Sequence, residues 1–273
     1  MNGFTKFQKF VLAGIGTCGG ALALYYSYNG NGKQVYASWT TNHSPSVKWD
    51  SNWDRRDPSS LVDPRQNDDN KYNEAIEKVK PKAVRHLLLI RHGQYNLLEG
   101  LMKIANFSRK QAHFTGLRLQ ELGLPYTKLI SSTMMRANET AKIIHQSLST
   151  LPRCECPLLE EGAPIPPEPP VGNWRPEPCQ FYQDGARIEA AFRKYFHRAE
   201  KSQDKDTYEI LVCHANVIRY FVCRALQFPP EAWLRLSLNH ASITWVSITP
   251  SGRVILRSYS DAGHMPPEAI TSH

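Results

Sequence analysis

Two apolar runs in this chain end on a histidine in the same way, and they constrain its fold more than any other feature. Residues 87–96 read LLLIRHGQYN and residues 211–220 read LVCHANVIRY. Uninterrupted aliphatics bounded by polar residues predict strands buried on both faces, as in an open parallel sheet covered by helices. In such sheets ligands bind beyond the carboxyl ends of the strands. Arg91 and His92 therefore stand at the exit of one strand and His214 at the exit of another. Gly93 permits a tight exit and the close approach of a ligand.

The alternation continues through residues 83–273. Strands are predicted over Val84–Ile90, Lys128–Ser131 and Tyr208–Cys213, and helices over Thr115–Leu122, Met134–Leu148, Gly185–Ala199 and Asn216–Leu226. Ser242–Ile248 and Val254–Tyr259 form a hairpin around Pro250-Ser251-Gly252. The proline-rich stretch Pro164–Pro178 must be irregular loop. The fold class expected is α/β, a three-layer αβα arrangement around a mostly parallel sheet.

A further basic residue enters in SSTMMRANET, residues 131–140, where Arg136 opens a helix that follows a strand. Two arginines and two histidines with few acids among them make a poor metal site and a good phosphate site. Guanidinium offers fixed, forked donors that match phosphoryl oxygens, and it stays charged at physiological pH. A neutral imidazole is a competent nucleophile toward phosphorus. The expected mechanism has His92 attacking in line to give a phosphohistidine, with Arg91, Arg136 and His214 stabilising the equatorial oxygens. An acid must protonate the leaving oxygen and later activate water. Glu161, in LLEEGAPI, is the best-placed candidate and Glu160 its rival. Singly, each residue has an ordinary alternative: a strand-end His is commonly structural, and Arg136 could pair with Glu139 on its own helix.

The amino-terminal part is built differently. Residues 10–28, FVLAGIGTCGGALALYYSY, are uncharged, and as a helix they span about 28 Å, close to the bilayer hydrocarbon thickness. Lys6 and Lys9 precede them, and no acidic residue occurs before Asp50. Segment 1–28 is therefore expected to be a mitochondrial targeting and single membrane-anchor helix, with a secretory signal or a buried helix as alternatives. Residues 29–82 turn polar and read as a linker to the domain at 83–273. Inside the linker WDSNWD, residues 49–54, sets two tryptophans four apart. Trp49, Asp50, Asn52, Trp53 and Asp54 resemble a short docking peptide, because Trp brings large contact area for little lost entropy. The alternative is that they tack the linker onto its own domain.

The formal charge is +8, yet the first 80 residues hold ten Lys/Arg against eight Asp/Glu, so the surplus lies in the domain. A phosphate pocket is one home for it. With no basic run or nucleic-acid module, nucleic-acid binding is not expected. Cys18, Cys154, Cys156, Cys179, Cys213 and Cys223 form no CxxC pair, so free thiols are expected and two sulfurs at 154 and 156 make a poor zinc site. Asn42, Asn106 and Asn138 head Asn-x-Ser/Thr triplets, but Asn138 lies beside Arg136, which weighs against a secretory lumen.

LLLIRHGQYN together with Arg136 and CHANVIRY resembles the histidine phosphatase superfamily, also called phosphoglycerate mutase-like. FTGLRLQELGL, EEGAPIPPEPPVGNW, YQDGARIEAAFRKYFHRAE and residues 208–244 are similar to its mitochondrial serine/threonine phosphatase branch, from about Trp49 to the carboxyl end. The resemblance implies a phosphoglycerate mutase-like fold, with His92 as the phosphorylated nucleophile, Arg91, Arg136 and His214 as phosphoryl ligands, and Glu161 at the acid position. It implies phosphoserine, phosphothreonine and sometimes phosphohistidine proteins as substrates, with no metal and no bisphosphoglycerate cofactor. It further implies self-association through WDSNWD into dimers and higher oligomers, a mitochondrial membrane location, and a part in mitochondrial quality control and cell death. An apoptosis signal-regulating kinase is the partner it suggests.

The chain departs from that pattern in places. Ser51 stands where the motif usually has proline, which removes preorganisation and weakens the expected assembly. His240 and Ala241 stand where Asn and Gly are usual, and no Glu-Ser-Gly-Glu stretch for Kelch-type redox adaptors occurs in the linker. Two other functions remain in play: a small-metabolite phosphatase or sugar-phosphate mutase, and an inactive mitochondrial scaffold. Residues 94–116 hold no tryptophan, which counts against the mutase, whose pattern has a Trp-Asn and a Phe-x-Gly-Trp there.

Overall fold

The computed structural model describes residues 47–63, 69–95 and 106–272. Twelve α-helices and β-strands follow one another there, besides three short 3-10 turns: α1 Pro58–Leu61, α2 Asp69–Val79, β1 Arg85–Arg91, α3 Asn106–Leu122, β2 Tyr126–Ser131, α4 Met135–Ser147, β3 Arg153–Glu155, α5 Pro178–Tyr195, β4 Thr207–Cys213, α6 Ala215–Ala225, β5 Ile243–Ile248 and β6 Val254–Asp261. The anchor predicted at residues 10–28 lies outside the described residues, and no described helix is long and apolar enough to cross a membrane. Within the stretch read as linker, α1 and α2 form.

The six strands lie in the order β3-β2-β4-β1-β5-β6. β1 runs parallel to β4, and β2 parallel to β3 and β4, while β5 and β6 add an antiparallel edge. Every residue of β1 is buried, as its position between β4 and β5 requires. Alternate residues feed opposite faces. Leu87 and Leu89 pack with α5 and α6 through Ile188, Phe192, Ile218 and Phe221. Leu88 and Ile90 pack with α3 and α4 through Leu119, Ala141 and Ile144. The sheet is thus sandwiched between helical layers. β1 hands the chain to α3 on one face and β4 hands it to α6 on the other, so the crevice of an open α/β sheet opens between these two adjacent strands.

Two helices differ from their predicted extents. The helix predicted from Thr115 starts at Asn106, because its buried face carries Ser108, Gln111, Ala112 and Thr115 in place of aliphatics. That face must be small and polar, since a Cβ on Gly93 would stand 2.9 Å from the Ser108 carbonyl. The helix predicted over Gly185–Ala199 runs instead from Pro178 to Tyr195. Proline at its first position suits a helix start, and the Gln180 side chain accepts from the Glu177 backbone N–H at 3.2 Å.

Candidate active site

Register brings the two histidines together. Arg91 of β1 pairs with Cys213 of β4, and the His92 N–H donates to the Cys213 carbonyl at 3.0 Å. The residues that follow therefore leave adjacent strands at one level, with the His92 and His214 rings 5.1 Å apart between centroids. Both are almost fully buried. His214 also occupies the N-cap position of α6, without a side-chain capping bond, and Arg136 sits in the first turn of α4, so two helix N-termini direct their positive ends toward the crevice.

The tautomer of His92 follows from its partners. Nδ1 lies 2.7 Å from the Gly93 carbonyl, which can only accept, so Nδ1 carries the hydrogen and Nε2 keeps its lone pair. The Arg136 Nε–H donates to that Nε2 at 3.1 Å. Burial first, then His214, Arg136 and Arg91, hold the His92 imidazole well below the ordinary histidine range, against the opposing pull of the Gly93 carbonyl. Burial and the guanidiniums of Arg136, Arg187 and Arg91 do the same to His214. Its Nε2 meets the Ser132 hydroxyl at 2.9 Å, while its Nδ1 is buried with no hydrogen-bond partner among the described residues.

Arg91 donates from Nη1 to the carbonyls of Leu238 and Ser272, and its Nε is likewise buried and unpartnered. Burial lowers its pKa to about 10, with Arg219 as the next cause, so it remains a cation at neutral pH. Among the described residues neither Arg91 nor Arg136 is ion-paired to a carboxylate. The buried arginines Arg85 and Arg198, by contrast, have Glu209 and Asp54. Two buried cations with no carboxylate within ion-pair distance among the described residues, beside neutral imidazoles with spare polar atoms, make a pocket that an anion would complete.

Glu161 lies on the loop after β3, half-buried. Burial raises its carboxyl above the usual carboxylate range, against Arg136, the Gly162 N–H and Arg91, which pull it down. Its rival Glu160 is tied elsewhere, accepting from the Thr133 hydroxyl. Glu161 is therefore the carboxyl that shares a field with Arg136 and Arg91.

Several neighbours escaped the sequence reading. Tyr95 sets its ring 5.5 Å from His92 and takes the Arg136 guanidinium over its face at 5.0 Å. Thr140 accepts the Gly93 N–H at 3.1 Å. Ser132 immediately follows β2, so the strand-end rule that singled out His92 and His214 would have found it. His240, noted as a departure, stands 5.8 Å from His92 ring to ring and bonds through Nδ1 to the Thr271 hydroxyl at 3.0 Å. Ala241 beside it holds a left-handed φ of 53°, which lets its N–H reach the carbonyls of Arg91 and His92.

The WDSNWD residues pack on the same unit, which runs from Trp49 onward. Asp50 exchanges hydrogen bonds with the Gln227 side chain, at 2.8 Å to its N–H and 2.9 Å to its carbonyl. Asn52 accepts the Asp57 N–H at 3.0 Å. Trp53 donates from Nε1 to the Gly252 carbonyl at 2.8 Å and tilts against Phe192. The Asp54 carboxylate, fully buried, takes the Arg198 N–H at 2.8 Å and its guanidinium, which also bonds the Ser51 carbonyl. Trp49 stays 39% exposed, outside this clasp.

A family model of the histidine phosphatase superfamily (branch 1) matches residues 168–261. Serine/threonine-protein phosphatase Pgam5, mitochondrial, of Drosophila ananassae is 52% identical over 252 residues, covering 88% of this chain and 87% of that protein. Its namesake from Drosophila pseudoobscura pseudoobscura is 51% identical over 278 residues, covering 97% and 96%. Among solved structures, Bacillus stearothermophilus YhfR superimposes with a TM-score of 0.52 at 16% identity, covering 66% of this chain and 98% of that one, a likeness of fold alone. With about half its positions shared with such relatives over nearly its whole length, and an Arg-His-Gly strand exit facing a second histidine, the chain belongs to the Pgam5 family of the histidine phosphatase superfamily.

Proposed function

We propose that this chain is a mitochondrial phosphoprotein phosphatase that hydrolyses phosphoserine and phosphothreonine, and phosphohistidine in proteins, through a covalent phosphohistidine at His92. The observation that carries this reading is the presentation of His92: Nδ1 is held by Gly93 and Nε2 turns its lone pair to the Arg136 donor, between guanidiniums that have no ion-paired carboxylate among the described residues. In the first step Nε2 attacks phosphorus, the bond to the Ser or Thr Oγ breaks, and Glu161 gives that oxygen its proton. Arg91, Arg136 and His214 hold the three equatorial oxygens as charge moves among them. In the second step water attacks phosphorus, Glu161 takes its proton, the P–N bond breaks, and inorganic phosphate leaves a neutral His92. The raised carboxyl suits an acid in the first step, and the depressed imidazole suits a nucleophile that is never protonated away at neutral pH. No step calls for a metal or an organic cofactor.

The mitochondrial names of the relatives support that location for this chain. The proposal adds a targeting and anchor segment at 1–28 in a mitochondrial membrane, a linker at 29–82 and the catalytic domain at 83–273. It also includes self-association through Trp49, Asp50, Asn52, Trp53 and Asp54, by exchange of the segment onto a neighbouring copy, since the surface that accepts it on one chain is present on every chain. An apoptosis signal-regulating kinase is a partner the family resemblance suggests.

Phosphate release from a phosphothreonine peptide by the full chain, without added metal, tests the reading. His92→Ala should lower turnover by at least about 10³-fold, and the peptide should be turned over faster than a small phosphorylated metabolite. A wild type as inactive as His92→Ala, at concentrations that assemble it, would replace the phosphatase with a scaffold.

A further inference from the structure

The loop that carries Glu161 follows a single 3-10 turn, Pro157–Leu159, and side chains from two helices bind the backbone polar groups of that turn and of the loop one after another. Arg187 of α5 donates from Nη1 to the carbonyls of Leu158, at 3.3 Å, and Glu160, and from Nη2 to the carbonyl of Glu161 at 3.0 Å. Asp184, one turn earlier, receives Arg187 Nη2 at 2.9 Å on one oxygen and the Ala163 N–H at 2.9 Å on the other. From α6, Asn216 donates to the Gly162 carbonyl at 3.1 Å. The fit is close: a Cβ on Gly162 would lie 2.5 Å from the Asp184 carboxyl carbon and 2.6 Å from Arg187 Nη2. The backbone on both sides of Glu161 is thus fixed from α5 and α6, and its own carboxyl accepts the Gly162 N–H at 3.3 Å.

We infer that Arg187, oriented by Asp184, is a positioning residue that sets the Glu161 carboxyl at the reacting oxygen. This rests on the proposed acid–base role of Glu161 and adds what holds that group in place. None of the hydrogen bonds of Arg187 or Asp184 goes to His92, Arg91 or Arg136, so the pair acts through the loop and not on the phosphoryl group. Arg187 also contributes to the field at His214, a second route by which its charge could matter, and the two routes predict different substitution patterns. A forked, planar guanidinium can span three carbonyls and one carboxylate at once; a lysine keeps the charge but cannot span them.

The leaving group separates positioning from a merely structural role. A phosphothreonine peptide expels an alkoxide that needs a proton, whereas 4-nitrophenyl phosphate expels a stable phenolate that needs almost none. Glu161 also serves as base in the second step, which both substrates share, so the readout is the pre-steady-state rate of phosphoenzyme formation. In the full chain, Arg187→Lys and Arg187→Met should each lower that rate on the phosphothreonine peptide by about 10²-fold, the usual weight of a general acid, with the half-saturating substrate concentration nearly unchanged and the rate with 4-nitrophenyl phosphate within a few-fold of wild type. Asp184→Asn, which keeps volume and an acceptor, should show the same selectivity at smaller size and provides a folded variant should the arginine variants fail to fold. Equal loss on both substrates, no loss on either, or full rescue by Arg187→Lys overturns the inference. Glu161→Gln, measured alongside, tells the two levels apart. If it discriminates between the substrates and the Arg187 variants do not, positioning alone is wrong; if Glu161→Gln does not discriminate either, the acid role falls and positioning with it.

Discussion

At the scale of single residues, the site works by withholding protons and counter-charges. His92 and His214 are buried among guanidiniums, so both imidazoles are held neutral far below the pH at which free histidine protonates. His86, buried at the opposite end of β1 against Ser247 and Trp245, is also depressed, by burial and Arg257. The consequence for stability has a definite sign. Below the ordinary histidine value near pH 6.5, the unfolded chain binds protons at these positions and the folded chain does not. Unfolding then takes up protons, and stability falls as pH falls. Each histidine contributes up to about 1.4 kcal/mol per pH unit once the unfolded residue is fully protonated. Glu161 acts in the opposite sense as the pH approaches its raised range. Denaturant titrations between pH 7 and 5 should therefore show a falling unfolding free energy, with a shallower fall in His92→Gln; a flat profile would contradict the assignment of neutral histidines.

At the scale of elements, the clasp formed by residues 50–57 shows how a short polar segment becomes part of a folded unit. The segment contributes Trp53 to the rim of a core built by α5 and α6, and it neutralises Arg198, whose side chain is wholly buried just beyond α5. Gly252 is needed there twice over, since its φ of 83° is left-handed and a Cβ would overlap the Arg198 guanidinium. Removing one member of a buried pair leaves the other charge uncompensated, typically at about 3–5 kcal/mol. Asp54→Ala should therefore lower the unfolding free energy obtained from urea titration by an amount in that range, and a change below about 1 kcal/mol would show that the pair is not closed in solution. The sequence signalled the tryptophans, but nothing near Arg198 indicated that the carboxylate partner of that arginine lies 144 residues earlier. The α3 start at Asn106 escaped for a related reason: a helix whose buried face is serine, glutamine and threonine lacks the apolar period by which helices are read.

At the scale of the whole molecule, what was legible is what periodicity and strand exits encode. Arg91, His92, Arg136 and His214 were placed by the rule that ligands gather at strand carboxyl ends, and the structure brings all four into one crevice because β1 and β4 are adjacent, parallel and in register from Arg85↔Thr207 to Arg91↔Cys213. Strand order carries no local signature, so adjacency of β1 and β4, separated by more than 100 residues, could be inferred only from the chemistry the histidines would share. Tyr95, Arg187, Asp184 and Asn216 could not be placed in this way, because their roles depend on which helix faces which loop. A basic domain surplus acquires a specific meaning here: Arg91 and Arg136 are buried beside His92 with no ion-paired carboxylate among the described residues, an arrangement that costs stability and that, on the proposed function, a bound phosphoryl group would compensate.

The measurement that bears most directly on the central claim is capture of the phosphoenzyme. Rapid mixing of the full chain with a phosphothreonine protein labelled on phosphorus, an alkaline quench that preserves phosphohistidine, and peptide mapping should place the label on His92 within the first turnover. Label on another residue, or steady phosphate release with no phosphoenzyme at any time, would mean that water attacks phosphorus directly or that another side chain is the nucleophile.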